Sequence, residues 1–141
     1  MPIRSLRTIL AGQVPITATK TATVAEAARL MKEHVIGALL VVDNSHLIGI
    51  FTERDALFRV LAAGRNCETT QLADVMTPDP QTIHPDEPFL RALRIMYQGG
   101  FRHLPVAEDG RPVGIVSVRD ALDDDFYELR ADLVQRVNPQ E

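Results

Sequence analysis

Apolar residues recur at helical spacing in two well-separated segments, and each of these segments is followed by two short apolar runs and a further helix. In the first segment Val24, Ala27, Ala28, Met31 and Val35 form one stripe, with Glu26, Arg29, Lys32 and Glu33 mostly off it. Thr23 followed by Glu26 has the spacing of a capping box and predicts where this helix starts. After Gly37 the run Ala-Leu-Leu-Val-Val is apolar at every position, the pattern of a strand buried on both faces. Asp43-Asn-Ser-His46 turns the chain into a second strand at 47–51, and a helix follows at 53–63 with Ala56, Leu57, Val60 and Leu61 as its apolar face. Upstream, residues 14–18 read as a short extended piece, because Pro15 opposes a helix.

The same order returns further along. Residues 82–83 are extended, and Pro88 suits the first position of a helix whose stripe is Phe89, Ala92, Leu93 and Met96. Strands at 101–107 and 112–116 flank Asp109-Gly110, a strong hairpin signal, and a helix spans 118–137. Residues 14–57 in fact lie over 79–122 at a constant offset of 65, without a gap. Pro15 meets Pro80, Thr17 meets Thr82, Arg29 meets Arg94, Met31 meets Met96 and Val41 meets Val106. The stretch Gly49-Ile-Phe-Thr-Glu-Arg-Asp55-Ala-Leu57 recurs as Gly114-Ile-Val-Ser-Val-Arg-Asp120-Ala-Leu122. The chain is an internal duplication of a strand–helix–strand–strand–helix unit. Each unit alone is too small to bury its apolar surface, so the two are expected to share one α/β (α+β) globule with pseudo-symmetry. The expected organisation is an N-terminal segment at 1–13, a first unit at 14–63, a linker at 64–78 with a helical turn at 71–75, a second unit at 79–123, and a C-terminal helix and tail at 124–141. Ile3, Leu6, Ile9 and Leu10 give the N-terminal segment near-helical spacing, which suits either a short helix laid over the domain or a frayed end.

Composition and charge narrow the functional classes. A net charge of −4 offers no basic stripe to neutralise phosphates along a duplex, which argues against nucleic acid. No apolar run reaches the roughly 18 residues that cross a bilayer, and the N-terminus lacks the apolar core of a signal peptide. Cys67 is the sole cysteine, so no internal disulfide forms, and a cytoplasmic setting is expected. His34, His46, His84 and His103 show no metal-ligand spacing, and no metal or required cofactor is expected. Neither a Gly-rich phosphate loop nor a nucleophile elbow occurs, so the chain is not expected to be an enzyme. The run Asp123-Asp-Asp125 reads as a solvated helix face.

The repeated motif carries the candidate chemistry. Thr52 with Asp55, and Ser117 with Asp120, each follow a strand and open a helix three residues apart. Such a pair can satisfy the helix's own N–H groups as a capping box. It can equally hold a nucleotide: a carboxylate accepts from both hydroxyls of a ribose, and a hydroxyl beside free helix N–H groups suits a phosphate.

Two copies in this order, each ending Gly-Ile-x-Ser/Thr-x-Arg-Asp, resemble the CBS domain, and two in tandem resemble a Bateman module. Ile36-Gly-Ala-Leu-Leu-Val-Val-Asp43 and Arg102-His-Leu-Pro-Val106 fit that family too. The resemblance implies contact of Thr52, Asp55, Ser117 and Asp120, with neighbouring Arg119, to ribose and phosphate. It further implies that Arg102 and His103 lie near ligand phosphates, in a cleft between the copies. Their first-copy counterparts, Gly37 and Ala38, carry no charge, so the two sites are expected to differ. For the adenine it implies a slot at Thr17, Ala18, Thr82, Ile83 and Pro85.

The family reading is a regulatory module that senses AMP, ADP, ATP, NAD or S-adenosylmethionine and signals in trans to an effector protein. The alternative is a ligand-independent interaction module. In both, homodimerisation through the helix faces at 56–61 and 121–122 is expected.

Overall fold

The computed structural model describes residues 4–121. The elements are α1 (Leu6–Ile9), β1 (Thr17–Thr19), α2 (Val24–His34), β2 (Ala38–Asp43), β3 (His46–Thr52) and α3 (Glu53–Asp55), which runs on as a π-helical stretch, Ala56–Leu61. They continue as α4 (Leu72–Val75), β4 (Thr77–Pro78), α5 (Phe89–Gly99), β5 (His103–Glu108), β6 (Arg111–Ser117) and α6 (Val118–Ala121). The helix and strand mixture is the α+β class read from the pattern. The helix predicted to reach residue 137 lies outside the described residues beyond its first turn.

Local chemistry sets the element ends. Thr23 Oγ1 accepts from the Glu26 N–H at 3.2 Å and starts α2. Pro88 sits at the N-cap of α5, one place before the first helical residue. The hairpin β2–β3 turns through Asn44 and Ser45 at φ 49° and 66°, and β5–β6 turns through Asp109 and Gly110 at 53° and 79°. Left-handed residues at both central positions match the twist of the strands they join.

One sheet has the order β1-β2-β3-β4, with β1 parallel to β2 and the other pairs antiparallel. The second pairs β5 with β6, and Ile83 adds a parallel bridge to Val106, which keeps 82–83 extended. The register slips between Val41 and Val42 in one hairpin and between Val106 and Ala107 in the other. These are equivalent positions at the 65-residue offset, so the duplication extends to the hydrogen-bond pattern.

Strand β2 is buried on both faces, as its unbroken apolar run predicts. Leu39 and Val41 face the first unit's core with Val24, Ala27, Phe51 and Val60, while Ala38 and Leu40 face Ile50 and, across the units, Ile115. That smaller cluster joins the two halves. The segments ahead of each unit are exchanged between them. Leu6 of α1 and Leu10 at its C-cap pack into the second unit's core beside Phe89 and Met96, whereas Leu72 and Val75 of α4 pack into the first. The Arg7 N–H donates to the Pro85 carbonyl at 2.7 Å and the Phe89 N–H to that of Arg4 at 2.8 Å. The described part of the N-terminal segment therefore carries a short helix laid on the second unit, the first of its two expected forms.

The apolar face expected on the helix after β3 needs correction. Val60 is buried and Ala56 half-buried, but Leu57, Phe58 and Leu61 face solvent. Four apolar residues at 56, 57, 60 and 61 span more arc than the core covers, and packing takes only the smaller side.

Candidate functional site

Both signature motifs stand at a strand end, and both carboxylates fold back on the residue that opens the helix. Thr52 Oγ1 accepts from the Asp55 N–H at 3.2 Å, and Asp55 Oδ2 accepts from the Thr52 N–H at 3.0 Å, a closed capping box. In the second copy Asp120 Oδ2 accepts from the Ser117 N–H at 2.7 Å. The surroundings of the two carboxylates differ. Asp55 is buried and lies 3.5 Å from the Arg59 guanidinium. Asp120 is half-buried and lines a cleft of about 1100 Å³ between the units.

One wall of the cleft comes from the second unit: Arg102, His103, Gly114, Ile115 and residues 117–120. The facing wall comes from the first, through residues 13–16, Ala28, Lys32 and residues 35–38, with Glu53 reaching in from α3. Of the residues singled out from sequence, this cleft gathers Arg102, His103, Ser117, Arg119 and Asp120. It does not gather Thr52 or Asp55. Thr17 and Ala18 are paired instead to Leu40 and Val41 of β2, and residues 14–16 line the cleft ahead of them. Ile83 and Pro85 are buried in the second unit and Thr82 is exposed, none of them on this cleft.

Sequence reasoning missed Lys32, Gly37 and Glu53 as lining residues. A Cβ placed on Gly37 would stand 3.2 Å from Glu53 Oε1 and 3.2 Å from His103 Nε2, so these two side chains close on the glycine from opposite units. Burial pushes the His103 imidazole below its ordinary value. Glu53 and Asp120 oppose that shift, and Arg102 adds to it. The cleft thus holds three permanent cations (Lys32, Arg102, Arg119), two carboxylates and a histidine held toward its neutral form.

His84 is also brought within reach of Asp86 and Glu108, a grouping of metal-ligand types that sequence spacing did not show. Arg7 already occupies it, with Nε 2.8 Å from Asp86 and Nη2 2.7 Å from Glu108. That guanidinium lowers the Asp86 pKa and joins α1 to the second unit.

A model of the CBS domain matches this chain twice, over residues 10–62 and 72–125. The chain belongs to the CBS domain family. It is 37% identical over 121 residues to the CBS domain-containing protein CBSX3, mitochondrial, of Arabidopsis thaliana, covering 82% of this chain and 58% of that protein. With the uncharacterized protein MK0525 of Methanopyrus kandleri it shares 34% identity, covering 86% and 65%. The chain therefore spans less than two thirds of either relative. Among solved structures, the CBS-domain protein ATU1752 of Agrobacterium tumefaciens superposes with a TM-score of 0.78 at 30% identity, covering 86% of this chain and 99% of that one. The CBS pair of protein MJ0100, in complex with 5′-methylthioadenosine and S-adenosyl-L-methionine, superposes at 0.79 with 31% identity, covering 90% and 99%.

Proposed function

We propose that this CBS pair is a regulatory module that binds an adenosine-containing ligand in the cleft between its units. The observation that carries the reading is Asp120, a carboxylate at a strand–helix junction that faces an open, cation-lined cleft. Its second oxygen can accept from a ribose hydroxyl. Ser117 and the start of α6 offer polar groups beside it. Arg102, His103, Arg119 and Lys32 suit an anionic tail such as phosphate, and residues 14–16 and 36–38 supply an apolar wall for the base. The adenosyl ligands of the MJ0100 pair support the same chemistry. In this reading the chain is a cytoplasmic, non-catalytic regulator. Ligand binding shifts the angle between units, and a partner protein reads that shift in trans.

The test is a thermal-shift series on nucleotide-free protein with AMP, ADP, ATP, NAD and S-adenosylmethionine, and GMP as control. One adenosine ligand should raise the midpoint with concentration, by an amount equivalent to about 2.7 kcal/mol at a hundred times its dissociation constant. A flat series, or an equal rise for Asp120→Ala, sinks the reading.

A second reading, a ligand-independent homodimer, is favoured by a separate observation. Leu61, Leu90 and Tyr97 are 73%, 68% and 89% exposed, apolar groups on helical segments that a second copy could cover. Equilibrium sedimentation of wild type and Leu61→Glu checks it: a dimer lost in the variant supports self-association through these helices, and a monomer in both removes it.

A further inference from the structure

The two signature motifs look interchangeable in sequence, yet their carboxylates are committed differently. Asp55 has both oxygens engaged: Oδ2 accepts from the Thr52 N–H at 3.0 Å and from its hydroxyl at 3.2 Å, and Oδ1 faces Arg59 Nε at 3.5 Å. Arg59 in turn donates to the Val75 carbonyl at 3.3 Å and the Met76 carbonyl at 2.9 Å. One guanidinium thus ties the helix start to the linker over a carboxylate only 7% exposed. A ribose could reach that carboxylate only by displacing Arg59 from it. Asp120 Oδ2 likewise accepts from the Ser117 N–H at 2.7 Å and from its hydroxyl at 3.4 Å, but Asp120 has no ion-pair partner among the described residues, and it opens on the cleft.

The rest of the first motif points the same way. Glu53, whose second-copy counterpart is Val118, leaves its own unit and lines the Asp120 cleft, meeting His103 across Gly37. Three of the positions whose charge differs between copies, Glu53 on one side and Arg102 with His103 on the other, converge on this cleft.

We infer that each chain holds one adenosine ligand, in the Asp120 cleft, with Glu53 as a wall residue that helps select it, while Thr52, Asp55 and Arg59 form a structural latch. The inference rests on the adenosine-binding reading above and adds stoichiometry and a division of labour between the copies.

The experiment is titration calorimetry of the nucleotide-free full chain with AMP and with S-adenosylmethionine, with native mass spectrometry for the count of ligands bound. One ligand per chain is expected. Asp120→Ala should weaken binding by about tenfold to a hundredfold, the loss of one charged hydrogen bond. Asp55→Asn should keep one ligand per chain within about threefold of the wild-type affinity, while its melting temperature falls. Glu53→Gln should change the ratio of the two affinities by about threefold or more. Two ligands per wild-type chain, or fewer bound by Asp55→Asn than by wild type, overturns the single-site inference and leaves adenosine binding intact. An unchanged affinity ratio in Glu53→Gln removes its selecting role. No heat with either probe on the wild type removes the binding reading itself, and the inference with it. The wild-type count decides the matter even if Asp55→Asn does not fold.

Discussion

Replacing Val35 by glycine should stabilise the protein, an unusual expectation for a substitution that deletes an apolar side chain. Val35 closes α2 in the left-handed region, at φ 52° and ψ 53°. For an L-residue this conformation costs about 1–2 kcal/mol, and a β-branched side chain belongs at the upper end. The usual offset, burial of the side chain, is missing, since Val35 is 82% exposed. Glycine removes the strain but adds about 0.4–1 kcal/mol of unfolded-chain entropy. The net gain is about 1 kcal/mol, or roughly 3–4 °C in melting temperature for a domain this size. The duplication supplies the reciprocal experiment. The equivalent position is Gly100, at φ 72°, with nothing within 4 Å of a built Cβ, so Gly100→Val should lose about as much as Val35→Gly gains. Both are read by urea unfolding without ligand, because Val35 stands on the cleft. A Val35→Gly protein that is no more stable than wild type, with Gly100→Val unchanged, refutes the strain argument.

Leu40→Ala removes a fully buried side chain from the cluster that joins the units, and should cost about 3 kcal/mol, seen as a fall of roughly 10 °C in a thermal scan. Gly37→Val should fill the cleft between Glu53 and His103 and lower adenosine-ligand affinity about tenfold or more by calorimetry. Because burial holds the folded pKa of His103 below its ordinary value of 6.5, the unfolded chain binds more protons between the two values. Its stability contribution is then full above that value and declines as pH falls toward the folded pKa. His103→Gln should flatten this part of the curve of urea midpoint against pH.

Much of the fold was legible because burial and duplication both leave periodic traces. The unbroken run at β2 announced two buried faces, and the constant offset carried the hairpin of one unit over to the other. What could not be read was which surfaces meet. Leu6 and Leu10 have helical spacing, yet nothing local says that they dock on the second unit. Glu53 reads as a helix-start acid, and only the packing of the halves turns it into the other copy's cleft. Thr17 and Ala18 have the right composition for a slot, but they lie in β1 beside Leu40 and Val41 of β2, and the cleft is lined by residues 14–16 instead. Asp55 and Asp120 look alike within the motif because the residue that separates them, Arg59, lies four places further on, where the second copy has Asp124 in sequence.

The claim that organises all of this is that an adenosine ligand sits against Asp120. Amide NMR of the isotope-labelled chain, titrated with AMP and separately with S-adenosylmethionine, tests it most directly. The account predicts that with one of these ligands the amides of Gly37, Gly114, Ser117 and Asp120 move together along one binding curve, while those of Thr52 and Asp55 move little. Saturable shifts confined to residues off the cleft, or no shift with either ligand, would contradict it.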